Sequence, residues 1–436
     1  ALWAYLDQSG GDERADVVNA AVFTTQRATG IVALLRQKIW SLGQPTIANV
    51  LLRRTTTTAY KLYDGEFQSP NFQVGDPPYS ATGGQMDIGA DDLPVVQRME
   101  NLRVSFCIPA RVMPVEGFPV TIFATGAGGD YHSFSDYGVA RILAAGGIAS
   151  ISIDQVLSGP RNPKGPPGDI AFYNFSNPQA ARYNALQGAA DNFSLLRLLM
   201  GLSHTEAPLG AVPERTIKFD PARIYFFGHS QGGITGAPFL ALEPNVKAAV
   251  LSGTSALLYQ ALLHKTDPID ISAIVKLYIP DQPLDVFNPI LALIQTWIER
   301  SESANYAPLF ARKPATGSDG MPLAPKDVYQ SEGFDDRAAP NVSIQAFATA
   351  VGGNQVSGID GGVRQIIDGL TLRGRETLIP PVTGNLAGRT VVLVQYDELA
   401  FIDGHFIALF GPAQFQWLDF LVSKARTGAA TLPVPR

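Results

Sequence analysis

The sequence has little of several things that would mark a particular class of protein. It contains one cysteine in 436 residues, so no internal disulfide can form and the redox compartment cannot be deduced. Its 33 lysines and arginines are fewer than its 39 aspartates and glutamates, and the net charge of −6 argues against a nucleic-acid-binding protein. No apolar run is long and continuous enough to predict an integral membrane span.

The sequence does contain enough apolar material for a large core. Hydrophobic residues make up 46% of the chain and charged residues 17%, which is not the composition of a disordered protein. We predict that Cys107, in an apolar strand, belongs to the core. The printed sequence begins at Ala1 and not at Met, so we expect a processed chain and favour export, to the periplasm or the outside of a bacterium. The oligomeric state stays open.

Short apolar strands alternate with helical stretches from about residue 102 onward. Such alternation predicts an α/β fold, with a mostly parallel central sheet and helices on both faces. Ligand chemistry in such sheets lies at the carboxyl ends of the strands. The predicted strands are 102–110, 118–126, 148–154, 222–228, 246–253, 326–333 and 389–397, and the predicted helices are 133–147, 177–201, 229–242, 341–351 and 412–424.

One serine lies between two glycines at the junction of a predicted strand and a predicted helix. Gly228-His229-Ser230-Gln231-Gly232 fits the pattern G-x-S-x-G, and the strand-to-helix context is the one that a nucleophile elbow requires. A sharp turn there would lift the Ser230 hydroxyl clear of the sheet. It would also aim the backbone N–H of Gln231 at a developing oxyanion.

A serine nucleophile needs a base, and the chain has only five histidines to supply one. In a fold with this elbow the partners follow in the order serine, acid, histidine, which leaves His264 and His405. His264 precedes any later strand that could supply an acid. His405, in "FIDGHF", follows a strong strand and precedes the last helix, so we predict it as the base.

The acid should follow the preceding strand, where two carboxylates are adjacent. In the recurrent form of this loop the acid lies three residues after a glycine and four before a proline. Asp336 has this spacing and Asp335 does not, so we favour Asp336 as the residue that orients His405. Asp397 and Asp403, which are close to His405 in sequence, are interpreted as loop or capping carboxylates.

A glycine-rich loop, "TGAGGDYHSF", follows the strand 118–126. Backbone N–H groups in such a loop can approach a substrate without hindrance from side chains. We predict the second oxyanion donor here, at Ala127 with Gly128 as its neighbour. The alternative interpretation is a tight strand-to-helix turn without a functional role.

These motifs together resemble the α/β-hydrolase superfamily of serine esterases and lipases, over roughly residues 102–425. The resemblance rests on "TGAGGDY", "GHSQGG", "GFDDRAAP" and "DGHF", in that order. It is strongest to a bacterial lipase/carboxylesterase subgroup that also carries the stretch read here as "NPQAARYNALQGAADNFSLLR". Many relatives have His-Gly where this chain has Thr125-Gly126. The resemblance implies a Ser-Asp-His catalytic triad and three segments. These are an N-terminal extension (1–101), an α/β-hydrolase domain (102–254 and 326–436) and a helical cap or lid (255–325).

The insertion 255–325 contains one strongly amphipathic stretch. Asn288 and Pro289 are predicted to begin a helix whose apolar stripe is opposed by the polar residues Gln295 and Glu299. The stripe either packs on the main domain, or covers an acyl-binding cleft or meets a lipid or polymer surface. The stripe consists of Ile290, Leu293, Ile294, Trp297 and Ile298.

Taken together, these residues predict a carboxylic ester hydrolase that uses no metal or organic cofactor. The predicted substrate is an ester with an apolar acyl part, cleaved through an acyl-enzyme on Ser230. Alternatives within the same chemistry are a polyester depolymerase, a thioesterase, an amidase or a peptidase. The alternative from another class is a binding protein that has lost catalysis.

Overall fold

The computed structural model describes residues 25–55, 59–162, 164–206, 208, 214–357 and 362–434. The strands of these residues are β1 Ala48–Thr55, β2 Tyr60–Asn71, β3 Arg98–Pro109, β4 Phe118–Ala124, β5 Ala149–Ile153, β6 His204–Glu206, β7 Arg215–Ile217, β8 Phe219–His229, β9 Val246–Ser252, β10 Asp327–Gly333, β11 Asn354–Val356, β12 Val382–Thr383, β13 Val391–Tyr396 and β14 Thr431–Leu432.

Ten of these strands form one sheet, in the order β1-β2-β3-β5-β4-β8-β9-β10-β13-β11. All neighbouring pairs from β5 to β11 are parallel, whereas β1, β2 and β3 are antiparallel to their neighbours. The order changes direction around β4, which lies between β5 and β8. The carboxyl ends of the parallel strands therefore meet at one edge, which is where such sheets bind their ligands.

Helices cover both faces of the sheet. Their bounds are α1 Gly30–Ser41, α2 Ser133–Asp136, α3 Val139–Ala145, α4 Gly168–Tyr173, α5 Pro178–Gly201, α6 Gln231–Leu242, α7 Leu258–His264, α8 Ile271–Tyr278, α9 Pro289–Ile298, α10 Ser303–Tyr306, α11 Asn341–Val351, α12 Asp368–Leu372 and α13 Pro412–Thr427, with 3-10 helices at Gly159–Arg161, Ala307–Phe310 and Gly404–Leu409.

Two separate apolar cores lie on the two faces. Helices α1, α5 and α6 pack on one of them, around buried aromatic residues such as Phe193, Phe226 and Phe239. Helices α3 and α13 pack on the other, where Trp417 meets Phe227 edge to face with ring centroids 5.1 Å apart. Burial of apolar area on both faces is what stabilises a parallel sheet, so the predicted fold class is confirmed.

Helix α5, Pro178–Gly201, agrees with the helix predicted over 177–201. Asn177 caps it by accepting a hydrogen bond from the N–H of Ala180, and Pro178 is its first residue. Near its carboxyl end the Met200 side chain is 41% exposed. Nearly the whole of α5 is buried, because α1, α4, α6 and β2 surround it.

One further prediction needs correction. The helix predicted over 133–147 is divided into α2 and α3, because Gly138 has a φ of +78° that a continuous helix cannot accommodate. Residues 1–24 lie outside the described residues, and the first described helix, α1, begins at Gly30. Residues 56–58, between β1 and β2, also lie outside the described residues.

Between β9 and β10 the chain forms α7 to α10, and we call Leu258–Tyr306 the cap. Asn288 caps α9 as predicted, through its side-chain oxygen and the N–H of Ile290 at 2.9 Å. The prediction that Gln295 faces outward is wrong. Gln295 is buried because its amide donates to Glu302 and accepts from the N–H of Tyr259, so its polar atoms are satisfied inside the cap. In the described part of the chain, no helix combines the length and apolarity needed to cross a membrane.

Candidate active site

Ser230 occupies a strained turn at the carboxyl end of β8. Its φ of +54° and ψ of −121° lie in a region that side-chain-bearing residues rarely adopt. The turn is held by the N–H of Ser230, which donates to the carbonyl oxygen of Ser252 at 2.8 Å. Helix α6 begins at the next residue, Gln231. The strand, turn and helix therefore have the arrangement of a nucleophile elbow.

The two glycines that flank this turn are required by close packing. A Cβ on Gly232 would overlap the carbonyl group of Ala124 at the end of β4. A Cβ on Gly228 would lie 2.8 Å from the Phe226 ring and 2.9 Å from the Cα of Gly233. Both positions must be glycine for β4, β8 and α6 to approach one another this closely.

A buried carboxylate and an imidazole are hydrogen-bonded at the same edge of the sheet. Asp336, after β10, has its Oδ2 2.9 Å from Nδ1 of His405, and both residues are buried. The other carboxylate oxygen accepts the N–H groups of Ala338 and Ala339, which fixes the orientation of the carboxylate. Asp335, the neighbouring candidate, is exposed.

His405 is the second residue of the 3-10 helix Gly404–Leu409, which follows β13, and its backbone is held by Asp403. Its N–H donates to Oδ1 of Asp403 at 2.9 Å, and Arg337 donates to Oδ2 of the same carboxylate at 2.7 Å. Partial burial would raise the pKa of Asp403, but these two donors outweigh it and lower the pKa. Asp403 is thus a capping carboxylate. Gly253, with a φ of +55°, makes room for the imidazole, because a Cβ there would lie 2.8 Å from its Cε1.

The Ser230 hydroxyl makes no hydrogen bond to His405 or to any other group among the described residues. The imidazole nevertheless lies beside the elbow, since its ring centroid is 4.9 Å from that of His229, the residue before Ser230. Catalytic hydrogen bonds are often absent or long without substrate and form in its complex. The structure therefore brings Asp336 and His405 together and leaves the serine next to them.

His229 is a second buried imidazole that sequence reasoning did not single out. Burial, together with the neighbouring His405, lowers its pKa well below the ordinary value of 6.5. Its Nδ1 is 3.4 Å from Oγ of Ser252, and Gly126 packs against its ring. A neutral ring at this place adds no charge beside His405.

The two predicted oxyanion donors belong to two elements, Gln231 to α6 and Ala127 to the loop after β4. We call residues 125–132, between β4 and α2, the oxyanion loop. It packs against the serine so closely that a Cβ on Gly126 would lie 3.0 Å from the Ser230 Cβ. The first N–H of a helix has no partner within it, which applies to Gln231. Among the described residues, the backbone N–H groups of Gln231 and Ala127 donate to no protein acceptor.

An apolar cavity of about 380 Å³ adjoins these residues. Its lining includes Ile234, one turn after Ser230 on α6, and also Ala256 and Ala338, which are close to Gly253 and Asp336 in sequence. The cap covers it with the apolar stripe of α9 and with α7 and α8. The apolar cap residues that line it are Leu258, Leu262, Ile271, Val275, Ile290, Leu293, Ile294, Trp297 and Ile298.

Glu332, at the end of β10, is another buried group that the sequence did not reveal. Burial raises its pKa, against the lowering effect of amide donors on Gln395, Asn341 and Gln345. It supports the turn that carries Asp336, because Asn341 donates to Glu332 and to the carbonyl of Gly333. Over the described residues, no group of three or more His, Cys, Asp or Glu side chains is placed to hold a metal ion.

No protein-family model matches the sequence. No curated protein is significantly similar to it. Among solved structures, an acetyl xylan esterase from a Paenibacillus species is 13% identical, with a TM-score of 0.49 over 88% of this chain and 93% of that one. Acetyl xylan esterase 1 from a Thermoanaerobacterium species is also 13% identical, with a TM-score of 0.45 over 87% of its chain and 85% of this one. A glucuronoyl esterase from Teredinibacter turnerae has a TM-score of 0.43 at 13% identity, over 87% of this chain and 78% of its own.

Likenesses this distant carry no conclusion about chemistry, which has to follow from the side chains of this chain. The fold follows from the strand order and the elbow. The serine turn comes after β8, the carboxylate after β10 and the imidazole after β13, at one edge of a doubly covered parallel sheet. These are the features of the α/β-hydrolase fold, and this chain has that fold.

Proposed function

We propose that this protein hydrolyses carboxylic esters through an acyl-enzyme formed on Ser230. The observation that carries the proposal is the buried Asp336–His405 hydrogen bond of 2.9 Å beside a serine in a strained strand-to-helix turn. A serine hydroxyl is a weak nucleophile until a positioned base accepts its proton. An imidazole held by a carboxylate at one nitrogen offers its other nitrogen for that purpose.

The proposed reaction has two halves. His405 takes the proton from Ser230 as the Oγ–carbon bond forms, and the carbonyl oxygen becomes an oxyanion that the N–H groups of Gln231 and Ala127 stabilise. Collapse of this intermediate breaks the bond to the alcohol, which leaves with the proton from His405. Water then attacks the acyl-enzyme with the same base, and Asp336 stabilises the imidazolium in both halves.

The cap cavity supports an ester with an apolar acyl group. Its lining is mostly apolar and adjoins α6 one turn after the nucleophile. Apolar groups that leave water for such a cavity gain about 0.8 kcal/mol per CH₂. This gain favours acyl chains long enough to enter the cavity over acetyl groups.

The test is hydrolysis of p-nitrophenyl esters by the wild-type protein and by Ser230→Ala. We expect the variant to lose turnover by about 10⁴-fold or more and to lose labelling by a fluorophosphonate. Ser41→Ala is the matched control, because its hydroxyl donates only to the carbonyl of Lys38 at the end of α1. Hydrolysis that survives in Ser230→Ala, with wild-type folding in both variants, would overturn the proposal.

A further inference from the structure

We propose that Asp154 is a positioning residue for the oxyanion loop, and that it acts with a stack of the Arg103, Tyr131 and His132 side chains. This inference rests on the proposed ester hydrolysis. It concerns residues that do not touch the reacting atoms but hold the segment carrying the N–H of Ala127. The loop has two anchors, the Asp154 carboxylate and the stack of side chains. Both are attached to the neighbouring strands β2, β3 and β5.

Asp154 follows β5 at the active edge of the sheet and is almost completely buried, with 1% of its side chain exposed. Arg103 of β3 donates to both carboxylate oxygens, at 2.7 and 2.9 Å, in the two-pronged geometry that makes such pairs strong. The backbone N–H of Tyr131 donates to Oδ1 at 3.3 Å. The carboxylate therefore ties the oxyanion loop to two neighbouring strands of the sheet.

The backbone of Asp154 is itself held by Arg161, a residue of the 3-10 helix Gly159–Arg161. Arg161 donates to its carbonyl oxygen at 3.2 Å and pairs with Asp191 of α5 and Glu100 of β3, at 2.7 and 2.9 Å. Arg161 is buried, and these opposite charges raise its pKa although burial alone would lower it. A rigid charged base of this kind gives Asp154 little freedom to follow movements of the loop.

The side chains of Arg103, Tyr131 and His132 form the stack. The Arg103 guanidinium lies over the Tyr131 ring, 4.3 Å from its centroid, and Tyr131 lies on His132 with centroids 3.9 Å apart and planes 25° from parallel. Nε2 of His132 is 2.7 Å from Oδ1 of Asp64 on β2, which closes the stack at its other end. Displacement of the loop would weaken both the cation–π contact and the ring stacking.

These anchors matter because the loop itself resists movement poorly. It contains glycines at 126, 128 and 129, and Gly128 has a φ of +78°. A single backbone hydrogen bond, from the N–H of Gly129 to the carbonyl of Gly126 at 3.2 Å, closes its turn. Such a segment has high conformational entropy unless it is held at its ends. Its upstream end is held by β4 and its downstream end by Asp154 and the stack.

The test is steady-state kinetics on Asp154→Asn and Tyr131→Ala, normalised to the Ser230 sites that a fluorophosphonate titrates. An asparagine at 154 has one side-chain oxygen in place of two. It can accept a hydrogen bond from Arg103 or from the Tyr131 N–H at that oxygen, but its NH₂ group faces the remaining donor and cannot accept. We expect kcat per titrated site to fall about 10- to 100-fold, which is less than the roughly 10²- to 10³-fold cost of removing an oxyanion donor. We expect KM to stay within about twofold, because ground-state binding is unaffected.

The control variant is Asp220→Asn. Asp220 also pairs with an arginine, Arg223, and accepts a backbone N–H, from Ala222, but it lies at the opposite end of β8. We expect its kcat per titrated site to equal that of the wild type. Tyr131→Phe, which keeps the ring, should recover most of the activity that Tyr131→Ala loses. The affinity of a trifluoromethyl ketone, which forms a tetrahedral adduct with the serine, should fall by the same factor as kcat.

Equal kcat per titrated site in wild type, Asp154→Asn and Tyr131→Ala would overturn the inference and leave the proposed function intact. So would a rise in KM without a fall in kcat. A wild-type protein that neither hydrolyses the ester nor reacts with the fluorophosphonate would overturn the function, and this inference with it. The three results are distinguishable within one series of measurements.

Discussion

The strand-end site and the cap lie against each other but are built in opposite ways. At the strand ends, Asp336 and His405 are buried and Ser230 is half-buried, and hydrogen bonds or close glycine contacts fix each of them. In the cap, α8 buries one residue, Ile271, and large apolar side chains such as Phe287 remain 88% exposed. One region is ordered by directional polar contacts and the other by loosely packed apolar surface.

The difference indicates a division of roles. Proton transfer needs atoms held to within fractions of an ångström, which hydrogen-bonded groups in a packed sheet provide. Selection of an apolar substrate needs only area and shape, and helices with few buried residues can adjust to supply both. On the proposed function, substitutions at the strand ends should change the rate of every ester, whereas substitutions in the cap should change the preference among esters.

The largest effect that separates the two regions is expected at the acid. In Asp336→Asn the amide would favour the wrong tautomer of His405, and we expect kcat to fall by about 10⁴-fold for short and long esters alike. Asp335→Asn is the matched control, because that side chain is adjacent in sequence but exposed. Ester hydrolysis by the two purified variants measures the effect. If Asp335→Asn lost activity and Asp336→Asn kept it, the assignment of the acid would be wrong.

A smaller and selective effect is expected from the cap cavity. Ile294→Ala removes three carbons from the lining of the cavity. Because the side chain is 36% exposed, roughly half of about 0.8 kcal/mol per CH₂ is counted, and we expect about a tenfold loss of kcat/KM for octanoate or longer esters. Acetate esters should change less than about twofold, because they do not reach this wall.

The control for this series is Leu277→Ala, since Leu277 is 79% exposed on α8 and does not line the cavity. A chain-length series from acetate to palmitate, measured for both variants, gives the ratio of kcat/KM between long and short esters. An equal loss for all chain lengths in Ile294→Ala would show that the cap supports the site as a whole and does not select the acyl group.

The smallest effect concerns His229 and the stability of the strand ends. Its pKa lies well below 6.5 in the folded protein, so below about pH 6.5 the unfolded chain binds a proton that the folded protein does not. The free energy of unfolding should therefore decrease as the pH is lowered, by about 1 kcal/mol from this group between pH 7 and pH 5.5. Urea denaturation at several pH values measures it.

His229→Asn is the comparison for this measurement, because asparagine does not titrate. The unfolding free energy of the wild type minus that of the variant should increase as the pH rises from 5 to about 7, and it should stay constant at higher pH. A difference that does not depend on pH between 5 and 8 would contradict the buried, neutral state of this imidazole.

The strand ends were largely predictable from the sequence because their chemistry is local. The glycines at 228 and 232, the Gly-x-x-Asp spacing before Asp336 and the order of the motifs each depend on a few adjacent residues. The sheet order around them follows from the alternation of strands and helices. The proposed roles of Ser230, Asp336 and His405 rest on these same local signals and await the kinetic tests.

The cap and the supporting contacts were less predictable because they depend on partners distant in sequence. Gln295 looks like an outward residue on a helical wheel, and only the positions of Glu302 and Tyr259 make it an inward one. Nothing near His132 indicates that Asp64 lies opposite it. Periodicity reports which face of a helix is apolar, but it does not report whether that face meets a core or an open cavity.

The antiparallel pairing of β2 with β3 has a consequence for anyone who shortens this protein. The two strands pair from Tyr60 with Pro109 to Asn71 with Arg98, and β2 also carries Asp64. A fragment that starts at residue 102 would leave β3 as a bare edge, open to pairing with other chains, and would free one end of the oxyanion loop. Insolubility and weak activity would then arise from the same deletion, and trimming from the amino terminus should stop before β1.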